Sequence, residues 1–172
     1  MCFDIPMNPR PNIRVSGLVH HSGRFLLVRQ ERGGSGYWLL PGGAVERGET
    51  LAAALEREIE EECGLRVRVA DAPIGLVETI SPDGGLTRHL IQVVLLATPV
   101  SPEGDCLTEP PTPVAGDPAI RGLCWATADE SLGLDLHPPI HDLLQAWLDE
   151  LGSRSTDTPM TFRAAGRRWA DE

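Results

Sequence analysis

The stretch from Gly42 to Leu65, GGAVERGETLAAALEREIEEECGL, constrains the fold of this chain more than any other segment. The two glycines that open it predict a turn. Residues 51–63 are mostly strong helix formers, Thr50 is suited to cap the start of a helix, and Gly64 is suited to end one. The stretch is therefore predicted to be a loop followed by a helix over 51–63.

This helix is predicted to carry acidic side chains beside an apolar face. At about 100° per residue, one stripe of the helix holds Leu51, Leu55 and Ile59. The adjoining arc holds Glu58, Glu61 and Glu62, of which Glu62 borders the apolar face. Carboxylates so close repel one another unless a cation lies among them, and a hard cation such as Mg²⁺ prefers oxygen ligands. Taken alone, the cluster also fits a solvated acidic helix end.

The same stretch resembles the signature of the Nudix hydrolases, GX5EX7REUXEEXGU, in which U is a bulky aliphatic residue. Every fixed position of that signature is matched, by Gly43, Glu49, Arg57, Glu58, Ile59, Glu61, Glu62, Gly64 and Leu65. We call residues 43–65 the Nudix box. The resemblance is strong in the box and looser over residues 12 to about 150.

The resemblance implies a loop–helix–loop that binds Mg²⁺ or Mn²⁺ together with the diphosphate of a substrate. The metal-binding residues that it implies are Glu58, Glu61, Glu62 and, at the turn, Gly43. It also implies that Arg57 and Glu49 form a supporting pair that fixes the loop to the helix. Gly42 and Gly43 are expected to let the backbone approach the substrate.

Composition limits the classes of partner. The chain has 172 residues, which suits one domain with a core, and a formal net charge of −10. Such a chain repels nucleic acids and anionic membranes, and it also repels a polyphosphate unless cations bridge the two. The N-terminus has no apolar segment typical of a signal peptide, and no apolar run is long enough to cross a bilayer. We expect a cytoplasmic protein that binds no nucleic acid and no membrane.

The rest of the chain predicts a mixed sheet between helices. Apolar runs and turn signals predict strands at 12–20, 24–30, 37–40, 65–80 (one or two strands, broken near Pro73), 86–97 and 122–127. Further helices are predicted at 129–132 and 138–151, with a flexible loop at 33–36. With the Nudix resemblance, this order predicts an α/β/α sandwich. We expect a lead-in at 1–11, a Nudix domain at 12–152 and a polar tail at 153–172.

Several residues outside the box are candidates for substrate contact. Trp38 or its neighbour Tyr37 could stack on a base, although packing on the sheet is the plainer alternative. Arg88 and His89 could contact a phosphate or ribose if they face the cleft, and otherwise they face solvent.

The proline-rich segment 99–119 is a long loop of the kind that often carries function. Glu109 and Asp117 are candidates there for a further metal ligand or a general base. Asp117 is preferred, because many Nudix enzymes place such a carboxylate ahead of a strand that carries a tryptophan, here Trp125.

The predicted function is metal-dependent hydrolysis of a phosphoanhydride bond in a small nucleotide, with Mg²⁺ or Mn²⁺ as cofactor. ADP-ribose, a (d)NTP, a dinucleoside polyphosphate and a nucleotide sugar all remain open as substrates. A silent domain that senses nucleotides and an enzyme acting on RNA 5′ ends are the alternatives. The sequence leaves the oligomeric state open; many Nudix proteins are dimers, so the resemblance is compatible with a homodimer.

Overall fold

The computed structural model describes residues 11–32, 34–83, 86–102, 104–105, 114, 118–153 and 161–168. The strands are β1 (Asn12–His21), β2 (Arg24–Arg32), β3 (Ser35–Leu39), β4 (Val67–Asp83), β5 (Leu86–Pro99), β6 (Gly122–Ala126) and β7 (Arg163–Arg168). The helices are α1 (Leu51–Cys63), α2 (Ala128–Ser131) and α3 (His141–Ser153). The candidate carboxylates Glu109 and Asp117 lie outside the described residues.

The strands form one mixed sheet in the order β3-β2-β1-β5-β4-β7, with β6 paired to β2. β1 runs parallel to β5, and β4 runs parallel to β7. The pairs β4–β5, β2–β3 and β2–β6 are antiparallel. This mixture confirms the α/β prediction.

The hairpin between β1 and β2 opens soon after its turn. Only two residue pairs, His20 with Phe25 and His21 with Arg24, join the two strands. Further along, the freed edge of β1 pairs with the loop that leads into the Nudix box. The Val15 N–H donates to the Gly43 carbonyl at 2.9 Å, and the Gly17 N–H donates to the Pro41 carbonyl at 2.8 Å. The loop is thereby fixed to a buried strand.

Two apolar clusters lie on opposite faces of the sheet, one under α1 and one under α3. The cluster under α1 includes Val15, Val19, Leu26, Val28, Leu55, Ile59 and Cys63. The cluster under α3 includes Leu18, Phe25, Leu27, Val94, Leu144 and Trp147. Successive residues of β1 and β2 alternate between the clusters, as side chains do along a strand. The predicted α/β/α layering is confirmed.

Two predicted boundaries were wrong at α3. The helix begins at His141 rather than Pro138, because a proline disfavours helical backbone in the residue before it. The segment before α3 is instead held against β3, where the His137 N–H donates to the Trp38 carbonyl at 2.7 Å. The helix also continues through Gly152 to Ser153.

β4 is one strand, the first of the two predicted alternatives, with register shifts on either side of Pro73, which has no N–H to donate to the ladder.

Two other segments differ from their predictions. Ser35 and Gly36 belong to β3 rather than to a loop. The predicted tail contains β7, whose sequence RAAGRR lacks the apolar alternation that marks a half-buried strand.

Within the described ranges, no helix is long and apolar enough to cross a membrane.

Candidate metal and substrate site

Local sequence fixes α1 in the position that the site requires. The Thr50 Oγ1 accepts the Ala53 N–H at 3.1 Å at the start of the helix. Gly64 ends it in the left-handed conformation, with φ 64°, and donates its N–H to the Glu60 carbonyl. Leu55 and Ile59 are fully buried against the sheet, which fixes the rotation of the helix about its axis.

Arg57 joins the loop to three glutamates of the box. Its Nε and Nη2 donate to the two carboxylate oxygens of Glu49 at 3.0 and 3.1 Å. Its Nη1 donates to Glu58 at 2.9 Å and to Glu61 at 3.3 Å, and Nη2 also donates to the Ala44 carbonyl at 3.2 Å. The bond from Arg57 lowers the pKa of Glu49, and Glu49 and Glu58 raise the pKa of Arg57. Both partners stay charged, and the loop is held to the helix.

The two glycines contact two of the carboxylates in different ways. A Cβ on Gly43 would lie 2.1 Å from the carboxylate of Glu58, so a side chain there would displace it. Gly42 has φ 139°, and its N–H donates to Glu62 Oε2 at 2.8 Å. Glu62 is only 6% exposed, as its predicted place beside the apolar face requires.

The donor chemistry of this cluster fits a hard divalent cation. The available groups are carboxylate oxygens: Glu58 and Glu62 face the glycine loop, and the Glu61 side chain is 61% exposed. In the described part of the chain, no three Asp, Glu, His or Cys side chains converge as a finished cage. Mg²⁺ does not need such a cage, because it keeps several waters and binds through one or two carboxylates plus substrate phosphates.

A cavity lies next to the box loop. It has about 510 Å³ of space including its open mouth, and its walls include Arg14, Tyr37, Thr79, Arg88, Gln92 and His137. The backbone of Arg14, one of the lining residues, pairs with that of Ala44 in the box loop. Burial lowers the pKa of the Arg14 guanidinium, an effect that Glu62 and Glu58 oppose.

Sequence reasoning missed Arg14. The signal available was an arginine inside the apolar strand NIRVSGLVHH, where burying a charge costs free energy unless the charge is paired.

The structure separates the candidates for substrate contact. Tyr37 lines the cavity and stacks on His137 with ring centroids 4.9 Å apart, whereas Trp38 packs against the cluster under α3. Arg88 also lines the cavity. Its neighbour His89 instead pairs with Glu78 at 2.8 Å, as the alternation of side chains along β5 requires.

Comparison with known proteins matches this chain over most of its length. The profile of the NUDIX domain matches residues 9–148. The chain belongs to the NUDIX family. The match includes the box, all strands except β7, and α3 as far as Leu148.

Curated NUDIX relatives have several names. The chain is 36% identical over 87 residues to an ADP-ribose pyrophosphatase of Methanocaldococcus jannaschii, covering 50% of each protein. It is 37% identical over 109 residues to the putative 8-oxo-dGTP diphosphatase 2 of Mycobacterium tuberculosis, covering 60% of this chain and 63% of that protein. The chain thus spans between half and two thirds of these relatives. It is 32% identical to the phosphatase NudJ of Escherichia coli, covering 72% of each.

Solved structures agree on the fold. A MutT NUDIX hydrolase from Burkholderia pseudomallei is 27% identical, with a TM-score of 0.55, and the match covers 71% of this chain and 87% of that one. A NUDIX hydrolase from Nitrosomonas europaea has a TM-score of 0.63 at 22% identity, covering 84% and 92%. The NUDIX family and the curated relatives support the prediction of a pyrophosphohydrolase.

Proposed function

We propose that this NUDIX protein is a pyrophosphohydrolase that uses a divalent metal to cleave a phosphoanhydride bond in a nucleoside diphosphate derivative or a nucleoside triphosphate. The observation that carries the proposal is the Arg57 network, which holds Glu49, Glu58 and Glu61 together beside a glycine loop. The relatives named for ADP-ribose and for 8-oxo-dGTP support the same class of bond.

Glu58, Glu61 and Glu62 are the residues that would hold Mg²⁺ or Mn²⁺. A bound metal supplies neutralisation of the diphosphate and a lower pKa for an attacking water. Arg57 and Glu49 position the carboxylates, and the Gly42 N–H orients Glu62. A carboxylate takes the proton from water, either one of the box glutamates or Asp117.

The first test is Glu61→Gln. We expect turnover to fall at least about 100-fold, because removing one charge-stabilising group from such a site typically costs this much. The side chain is 61% exposed and its contact with Arg57 is the longest of the network, so the fold should persist. The measurement is kcat for a panel of nucleotides with Mg²⁺ or Mn²⁺ at mildly alkaline pH, with products identified.

Glu60→Gln is the matched control, since Glu60 is an exposed glutamate of the same helix outside the implied metal set. It should keep normal turnover. Normal activity in Glu61→Gln would contradict the metal assignment.

If wild-type protein binds nucleotides without cleaving any of them, the sensing alternative replaces the proposal. Filter binding at low salt tests the RNA alternative, which the net charge of −10 disfavours. A homodimer and a cytoplasmic location remain predictions.

A further inference from the structure

The cavity beside the box contains buried N–H donors that lack partners. The Nε and Nη2 atoms of Arg14 are buried without a hydrogen-bond partner among the described residues, and so is the Oγ1 of Thr79. Both residues line the cavity. An unsatisfied buried donor destabilises the protein, and more so when the group is charged. These donors are therefore suited to a ligand that enters the cavity.

The electrostatics of the cavity favour an anion. Burial lowers the pKa of Arg14 most, Glu62 and Glu58 raise it, and the charge of Arg88, which lines the same space, lowers it. A neutral base could accept hydrogen bonds from the two guanidinium groups, but an anion also adds a charge that attracts both of them. None of the described residues that line the cavity is acidic, although the whole chain has a net charge of −10.

The position of Arg88 separates this ligand from the diphosphate at the box. Arg14 is paired with Gln92 across β1 and β5, and Arg88 lies four residues before Gln92. At the rise of a strand, that is about 13 Å farther along β5. Arg14 lies near Glu62 and Glu58, whose charges act on it, so an anion held between the two arginines is displaced from the box toward Arg88. A tetrahedral phosphate suits this geometry, because several of its oxygens can accept bonds from separate guanidinium groups.

We propose that Arg14 and Arg88 bind a substrate phosphate that is additional to the two phosphates joined by the cleaved bond. The inference rests on the proposed function and narrows its substrate class. The extra phosphate has two chemical sources, the third phosphate of a nucleoside triphosphate or a phosphate on the ribose.

The test compares substrates that differ by one phosphate: ATP with ADP, and 2′-phospho-ADP-ribose with ADP-ribose. In at least one pair, we expect kcat/KM to be 10-fold or more higher for the compound with the extra phosphate, mainly through KM. Hydrogen bonds to a charged group are worth about 1.5–3 kcal/mol, which corresponds to roughly 10- to 100-fold. The pair that shows the preference identifies the source of the phosphate.

Arg88→Gln should reduce this preference to about 3-fold or less, and it should keep the fold because Arg88 is exposed on its strand. Arg14→Gln should act in the same direction. Arg66→Gln is the matched control, because it removes the same charge outside the cavity, where Arg66 donates to the Pro102 carbonyl. Equal kcat/KM within both pairs for the wild type, or an unchanged preference in Arg88→Gln, would overturn the proposal.

Calorimetry separates this proposal from the proposed function. The Kd values of the four compounds are measured with Glu61→Gln, which avoids turnover. The arginine site is supported if the compound with the extra phosphate binds more tightly and this difference disappears when Arg88→Gln is added to Glu61→Gln. That conclusion holds even if the wild type hydrolyses none of the compounds. Hydrolysis without any difference in Kd refutes the arginine site and leaves the hydrolase intact.

Discussion

At the scale of single residues, the site depends on two glycines that contact charged side chains. Gly43 lies against the Glu58 carboxylate, and Gly42 presents its N–H to Glu62. Both glycines were predicted as site residues from the sequence, because the box is one continuous stretch of the chain. Arg14 and Tyr37 were harder to place, because their roles depend on which strands become neighbours in the sheet.

Gly43→Ala tests this packing directly. A Cβ would lie 2.1 Å from the Glu58 carboxylate, so the glutamate must move by an ångström or more. Displacement of that size in a catalytic group typically costs about 100-fold in rate, and we expect kcat to fall by that order. Gly152→Ala is the control, since nothing lies within 4 Å of its added Cβ and it is already in a helix. Full activity in Gly43→Ala would show that Glu58 is not held where the chemistry needs it.

At the scale of elements, α1 was the most predictable part of the fold. Its cap, its apolar stripe and its terminal glycine all lie within the sequence of the helix, and each is found where it was predicted. α3 was predicted less well, because Asp135 and His137, in the segment before it, bond to Trp38 of β3 and the helix opens only after the prolines. β7 was missed, since a parallel edge strand depends on a partner distant in sequence.

Thr50→Ala tests the cap of α1. Losing the bond from the Ala53 N–H should lower the free energy of unfolding by about 1 kcal/mol, the usual value for such a cap. Thr50→Ser keeps an acceptor oxygen and should retain most of the stability. The measurement is urea denaturation followed by circular dichroism. If both variants unfold at the wild-type midpoint, tertiary contacts alone hold the start of the helix.

At the scale of the whole molecule, ionised glutamates join parts of the chain that are distant in sequence. Besides Glu49, the carboxylate of Glu130 bonds to Arg24 at 3.0 Å, and that of Glu150 bonds to Arg163 of β7 at 3.1 Å. Backbone N–H groups of Thr127 and Thr161 are the largest cause of the lowered pKa values of Glu130 and Glu150. The predicted sandwich is thus held at its margins by charge as well as by its two cores.

These lowered pKa values predict acid sensitivity. A carboxylate whose pKa is lower in the folded than in the unfolded protein stabilises the fold. This contribution is complete above the pKa of the unfolded protein, about 4.3, and is lost as the pH falls through the pKa of the folded protein. We expect the denaturation midpoint to be constant near pH 6 and to fall as the pH drops below about 4.3. A triple variant with Glu49→Gln, Glu130→Gln and Glu150→Gln should have a lower denaturation midpoint near pH 6, and its midpoint should fall less at acid pH. An equal fall in both proteins would assign acid sensitivity to other groups.

The attachment of the glycine loop to β1 has a consequence for engineering. Because Val15 and Gly17 hold the loop through backbone bonds while Val15 and Leu18 pack in the two cores, a shift of the strand moves the loop with it. Interior mutations that preserve melting temperature can therefore still disturb turnover. Libraries screened for thermostability alone would keep damaged enzymes, so selection on this scaffold needs a catalytic readout at every round.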